Sequence, residues 1–221
     1  MKHLILTCVC FLYLAGYASP VRSNMGGRNT SLVEEKGQYP YDSEVEYLES
    51  TGTQYIDTGL TFNTDCAFEF NVNAYRSDSY YMFGYNYQYE ILLRPYITWY
   101  FLKQYQGWLF SRNRIFHIEG ALTRDGGILM VDGEVAAQND LTPSPNMPMY
   151  LFAIHDGRGK ISYCIVRFYY FKAVHGDVSV DMIPVRFTNE FGEREGAMYD
   201  RVSGEFFRNQ GTGSFGIGPD V

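Results

Sequence analysis

The chain has 221 residues, 46% hydrophobic and 19% charged, a balance that excludes intrinsic disorder and collagen-like repeats and leaves enough apolar surface for a real core. A formal net charge of -7 with no run of Lys or Arg excludes the basic footprint on which nucleic-acid binding depends. Tyr (20), Phe (16) and Gly (22) far outnumber Trp (2). Rings pack well on pleated surfaces and Gly supplies tight turns, so the composition predicts an all-β protein.

Lys2 and His3 precede an apolar stretch at 4–14, and Gly16-Tyr17-Ala18 places small residues where a signal peptidase reads. This predicts a signal peptide over 1–18 and a secreted, periplasmic or cell-surface protein. The stretch is too short to cross a bilayer comfortably and no other run approaches about 18 apolar residues, so no integral membrane span is expected after cleavage; retention as an anchor is the lesser alternative. The residues before Cys8 and Cys10 match a lipoprotein box poorly. Residues 19–43 are polar and aperiodic and read as a leader or linker. The folded domain is expected over 44–221, the size of one β domain.

That domain opens on Glu44, Glu46 and Glu49, a spacing similar to the carboxylates of some retaining glucanases, which use one strand face for nucleophile and acid. Those enzymes carry Asp at the central place on a central strand, so a solvated edge is the expected role here and no catalytic residue is assigned. About a dozen short apolar segments then alternate with turn residues, with almost no 3.6-residue period, which predicts a sandwich or barrel. Cys66, Phe68, Phe70 and Val72 alternate on one face, as do Cys164, Val166, Phe168 and Tyr170. Cys66 and Cys164 could thus face one interior, either as a disulfide or as two buried thiols.

Residues 80–110 are dense in Tyr and Trp. Read as a single strand, Tyr81, Phe83, Tyr85, Tyr87, Tyr89 and Ile91 share the core face, leaving Asn86, Gln88 and Glu90 on the other. With Trp99 or Trp108 as a stacking platform, these five are the candidate ligand-binding residues. Asp132-Gly133, between two apolar runs, is the strongest hairpin signal, and Ser203-Gly204 a weaker one. His117, His155 and His175 show no zinc-ligand spacing, so no metal site is predicted from spacing. Gly157-Arg158-Gly159-Lys160 lacks the rest of a nucleotide loop and reads as a charged turn. No catalytic triad is apparent.

The segment EYLESTGTQYIDTG at 46–59 resembles the opening of laminin-G-like, concanavalin A-like domains found in secreted bacterial and phage structural proteins. The segments IPV (183–185), GAMYD (196–200), SGEFF (203–207) and GTG (211–213) resemble their closing part. Between them VDGE (131–134), LFA (151–153) and the strand at 163–171 occur in the expected order. The resemblance implies a concanavalin A-like jelly-roll sandwich of two antiparallel sheets. It also implies a superfamily of lectins, adhesion modules and glucanases, in which some relatives hold Ca²⁺ at loop carboxylates; no cofactor is otherwise expected. The expected function is a secreted, non-catalytic domain that binds a glycan or surface polymer. A protein-interaction module of a surface or phage-like assembly is the alternative, and a glycoside hydrolase the minority reading.

Overall fold

A computed structural model describes residues 39–62, 64–73, 83–85, 89–91, 98–101, 104–107, 114–140, 147–155 and 161–221. The predicted signal and nearly all of the predicted linker lie outside these. Tyr41–Val221 form one compact unit. It therefore takes in Tyr41, Asp42 and Ser43, which the sequence assigns to the linker. The Asp42 amide donates to the Arg186 carbonyl at 2.8 Å and the Tyr41 ring packs edge-on to Tyr199 at 5.0 Å.

The described residues are all-β, with no helix. In chain order the strands are β1 (Ser43–Glu44), β2 (Leu48–Glu49), β3 (Ile56–Phe62), β4 (Cys66–Asn73), β5 (Phe83–Tyr85), β6 (Tyr89–Ile91), β7 (Thr98–Phe101), β8 (Gln104–Gly107) and β9 (Phe116–Thr123). Then come β10 (Gly126–Val131), β11 (Glu134–Asn139), β12 (Met147–Leu151), β13 (Ala153–His155), β14 (Ile161–Tyr163), β15 (Arg167–His175), β16 (Val178–Thr188), β17 (Arg194–Asp200), β18 (Phe206–Phe207) and β19 (Gly216–Ile217). The larger sheet runs β11-β10-β9-β4-β15-β16-β17-β18, with β1 on β16 and β2 between β15 and β19. The smaller runs β14-β13-β5-β12-β3, with β6 on β5, while β7 pairs with β8. Among the described residues pairing is antiparallel except for a single parallel contact between His155 and Tyr85.

The period-2 pattern of β4 places Cys66, Phe68, Phe70 and Val72 inside and the residues between them outside. A bulge in β15 inserts one residue between Phe168 and Tyr170, so Phe168 and Phe171 both point inward although three apart. Phe70 contacts both rings, at 5.3 and 6.3 Å between centroids. The smaller sheet contributes Ile56, Leu60, Met149 and Leu151 to the same core, and Phe152 joins the two layers by meeting Phe168 at 4.8 Å. The arrangement is sandwich-like, with one core between two sheets. Cys66 and Cys164 both lie in that core and are not joined by a disulfide.

The Asp132-Gly133 turn forms as predicted: Val131 pairs with Glu134, and both turn residues have positive φ, 51° and 81°. The second hairpin also forms, Met198 and Tyr199 pairing with Phe207 and Phe206. The single strand predicted through residues 81–91 does not form. Phe83 pairs with Ile91 and Tyr85 with Tyr89, so β5 and β6 are the arms of a reversal. Alternation cannot register a reversal when the residues around it are themselves polar and aromatic in turn.

The opening and closing segments clasp each other. Gln54, buried, accepts from the Thr51 amide at 2.8 Å and donates through Nε2 to the Thr212 carbonyl at 3.0 Å. The Thr212 amide returns a bond to the Thr53 carbonyl, and the Gln210 amide donates to Tyr55. Gly211 is required by this approach: a Cβ there would lie 2.0 Å from the Thr53 oxygen.

Candidate functional site

Three tyrosines converge on the outer face of the smaller sheet. Tyr55 precedes β3, and its amide and carbonyl are held by Asn209 Oδ1 and the Gln210 amide of the closing segment. Tyr150 lies between the buried Met149 and Leu151 and so points outward, opposite Asp57 of β3. Tyr163 ends β14 and is 37% exposed. The Tyr55 ring lies 5.0 Å from that of Tyr150 and 6.1 Å from that of Tyr163, and His155 meets Tyr150 edge-on at 5.8 Å.

The chain reaches this arrangement through an uncommon backbone conformation. Phe152, between β12 and β13, has φ of +64°, the left-handed region that a bulky residue rarely enters. Five residues along a regular strand, Tyr150 and His155 would face opposite sides of the sheet. The Phe152 kink brings both to the outer surface, and its buried ring, packed against Phe168 and Phe215, holds the kink in place.

Burial raises the Tyr55 phenol above its ordinary value, with Tyr163 and the Asp57 carboxylate adding to the effect. Burial, Asp57 and Tyr55 raise that of Tyr150. Both phenols remain protonated at neutral pH, able to donate as well as accept. Asp57 is exposed and takes the Gly59 amide on Oδ1 at 3.0 Å. The face therefore combines half-exposed ring surfaces, two-way hydroxyls and a carboxylate.

A second polar group lies on the outer face of the larger sheet. The register opposes Glu69 to Glu119 and Asn71 to His117 across β4 and β9, and Lys172 and Tyr170 of β15 lie on the other side of Glu69 and Asn71. Lys172 Nζ is 3.2 Å from Glu69 and His117 Nε2 is 3.7 Å from Glu119. His117 Nδ1 lies 3.0 Å from both Asn71 Oδ1 and the Tyr170 hydroxyl. Burial pushes the Tyr170 phenol upward, reinforced by Glu69, Glu119 and Asp181. Among the described residues, Glu69, His117 and Glu119 are the group of three whose donor atoms come within 4.8 Å of one another. They sit on strand faces, unlike the loop carboxylates that the resemblance associates with Ca²⁺.

Of the residues the sequence proposes for ligand binding, Asn86, Gln88 and Trp108 lie outside the described residues. Glu90 is in β6 opposite Gly84, and Trp99 is in β7 opposite Gln106. Of the opening glutamates, Glu44 and Glu49 lie on strands with different partners, and Glu49 is ion-paired to Arg167 at 2.6 Å. The charged turn at 157–160 also lies outside the described residues. Sequence reasoning passed over Tyr150 and Tyr163; the signal available was an aromatic at the outward place beside buried neighbours. No protein-family model matches the chain, and no curated protein matches it either.

Proposed function

We propose that this is a secreted, non-catalytic binding domain of jelly-roll, concanavalin A-like kind, whose tyrosine face recognises a glycan or similar polyhydroxylated surface polymer. The observation that carries this reading is the convergence of the Tyr150 and Tyr163 rings on Tyr55, with the Asp57 carboxylate beside Tyr55 and Tyr150. Sugar C–H faces stack on partly exposed rings, while the phenols and the carboxylate bond hydroxyls. The strained Phe152 backbone, conserving one orientation of Tyr150 and His155, is the kind of local cost that persists at binding sites. The resemblance of residues 46–59 and 183–213 to lectin-like domains supports the same reading. Strand β5 adjoins β12 and β13 and β6 pairs with β5, so the smaller sheet continues into the segment singled out from sequence.

The test is a glycan array probed with the full chain and with Tyr163→Ala. Binding to one polysaccharide class, weakened about tenfold by Tyr163→Ala, a loss of about 1.4 kcal/mol, is the expected result. Silence across plant, host and microbial polysaccharides would overturn it.

A further inference from the structure

Glu69 and Glu119 face each other across neighbouring strands, a pairing of like charges that destabilises a sheet unless a cation intervenes. Lys172 contacts only Glu69 among the pair. Beside Glu119 stands His117, whose Nδ1 faces the Asn71 carbonyl oxygen at 3.0 Å. With Nδ1 engaged by Asn71 Oδ1 and the Tyr170 hydroxyl, each at 3.0 Å, Nε2 is the ring nitrogen turned toward the Glu119 carboxylate, 3.7 Å away. In the tautomer with the proton on Nδ1, Nε2 completes a donor set for a cation with the two carboxylates, and a histidine whose second nitrogen bonds a carbonyl is the usual form of a metal-bound imidazole.

We propose that Glu69, His117 and Glu119 bind a divalent transition-metal ion of the zinc type, through Nε2 and one oxygen of each carboxylate. The imidazole donor favours such an ion over Ca²⁺ or Mg²⁺, which prefer all-oxygen sets. Zinc–ligand distances of about 2.0–2.2 Å separate neighbouring donors in a tetrahedron by about 3.4 Å, close to the 3.7 Å between His117 Nε2 and Glu119 Oε1. Small rotations of the partly exposed glutamates bring the remaining donors, now within 4.8 Å, to the ion. Lys172 is then released from Glu69, and the fourth position stays open to water or to a ligand lying on the sheet. This site is on the opposite layer from the tyrosine face and does not depend on it.

The full chain, stripped with chelator, is titrated calorimetrically with Zn²⁺ and, in parallel, with Ca²⁺. The expected result is one zinc per chain with weaker or undetectable Ca²⁺ binding, and a loss of affinity of about tenfold or more in His117→Gln and Glu119→Gln. Glu119→Gln relieves the carboxylate opposition, so without metal it melts no lower than the parent while losing the zinc-induced rise in melting temperature. Absence of zinc binding, equal affinity for Ca²⁺, or undiminished zinc affinity in both variants would overturn the proposal.

Discussion

The side-chain amide of Gln54 donates to the carbonyl of Thr212, 158 residues further along the chain. The same side chain accepts from the Thr51 amide and the Ser50 hydroxyl through Oε1, so one buried residue satisfies groups from both ends of the domain. Gln54→Leu preserves bulk but strands these groups, and is expected to cost about 2 kcal/mol in urea unfolding. An unchanged midpoint would show that the clasp contributes nothing to stability.

Gly133 tests the hairpin without testing packing. Its φ is +81° and a Cβ there meets nothing within 4 Å, so any cost of Gly133→Val comes from backbone conformation. We expect a loss of about 1–2 kcal/mol, with Gly133→Asn much milder because Asn tolerates the left-handed region. Equilibrium denaturation of the two variants side by side checks the order.

Gly120 makes the opposite case, since its backbone is regular and its space is filled. It lies opposite Phe68, and an added Cβ would fall 2.2 Å from the ring. Gly120→Ala should therefore cost about 1–3 kcal/mol through overpacking. Combined with Phe68→Leu the cost should shrink, a coupling of at least about 0.5 kcal/mol in a double-mutant cycle. Strict additivity would mean that the ring moves aside freely.

Asp200 predicts an acid dependence. Its buried carboxylate accepts from the Asp181, Val202 and Ser203 amides and from the Ser203 hydroxyl, and these bonds outweigh desolvation and hold it below the ordinary 3.8. The unfolded chain thus takes up the proton first. The contribution is complete above about pH 4–5 and is lost as pH falls through the folded value. Asp200→Asn should be less stable at neutral pH by about 2 kcal/mol and lose less stability between neutral and acid pH. Parallel slopes for parent and variant in a pH series of melts would contradict this.

Burial pushes the Cys66 thiol up to about 12, leaving almost no thiolate at neutral pH. Peptide mapping after alkylation should find Cys66 and Cys164 unmodified in the folded protein and fully labelled in denaturant. Rapid labelling of the native state would show that the core opens readily.

Legibility followed distance along the chain. The Cys66–Val72 alternation and the Asp132-Gly133 turn are local, governed by side-chain period and by φ, and both were readable. The bonds joining the first and last segments, from Gln54 to Thr212, were not, because they link residues far apart in the chain. The reversal between β5 and β6 escaped because its flanking residues keep the same aromatic and polar alternation as a strand. Glu69 and His117 come together only through the β4–β9 register, and registers are set by pairing partners that spacing does not reveal.

The orientation of Phe152 also has an evolutionary edge. The relative aim of Tyr150 and His155 is written in an interior ring whose neighbours are Phe168 and Phe215. Variation confined to solvent-facing positions would alter the chemistry of this surface, whereas a change at this hidden hinge would redraw its contour.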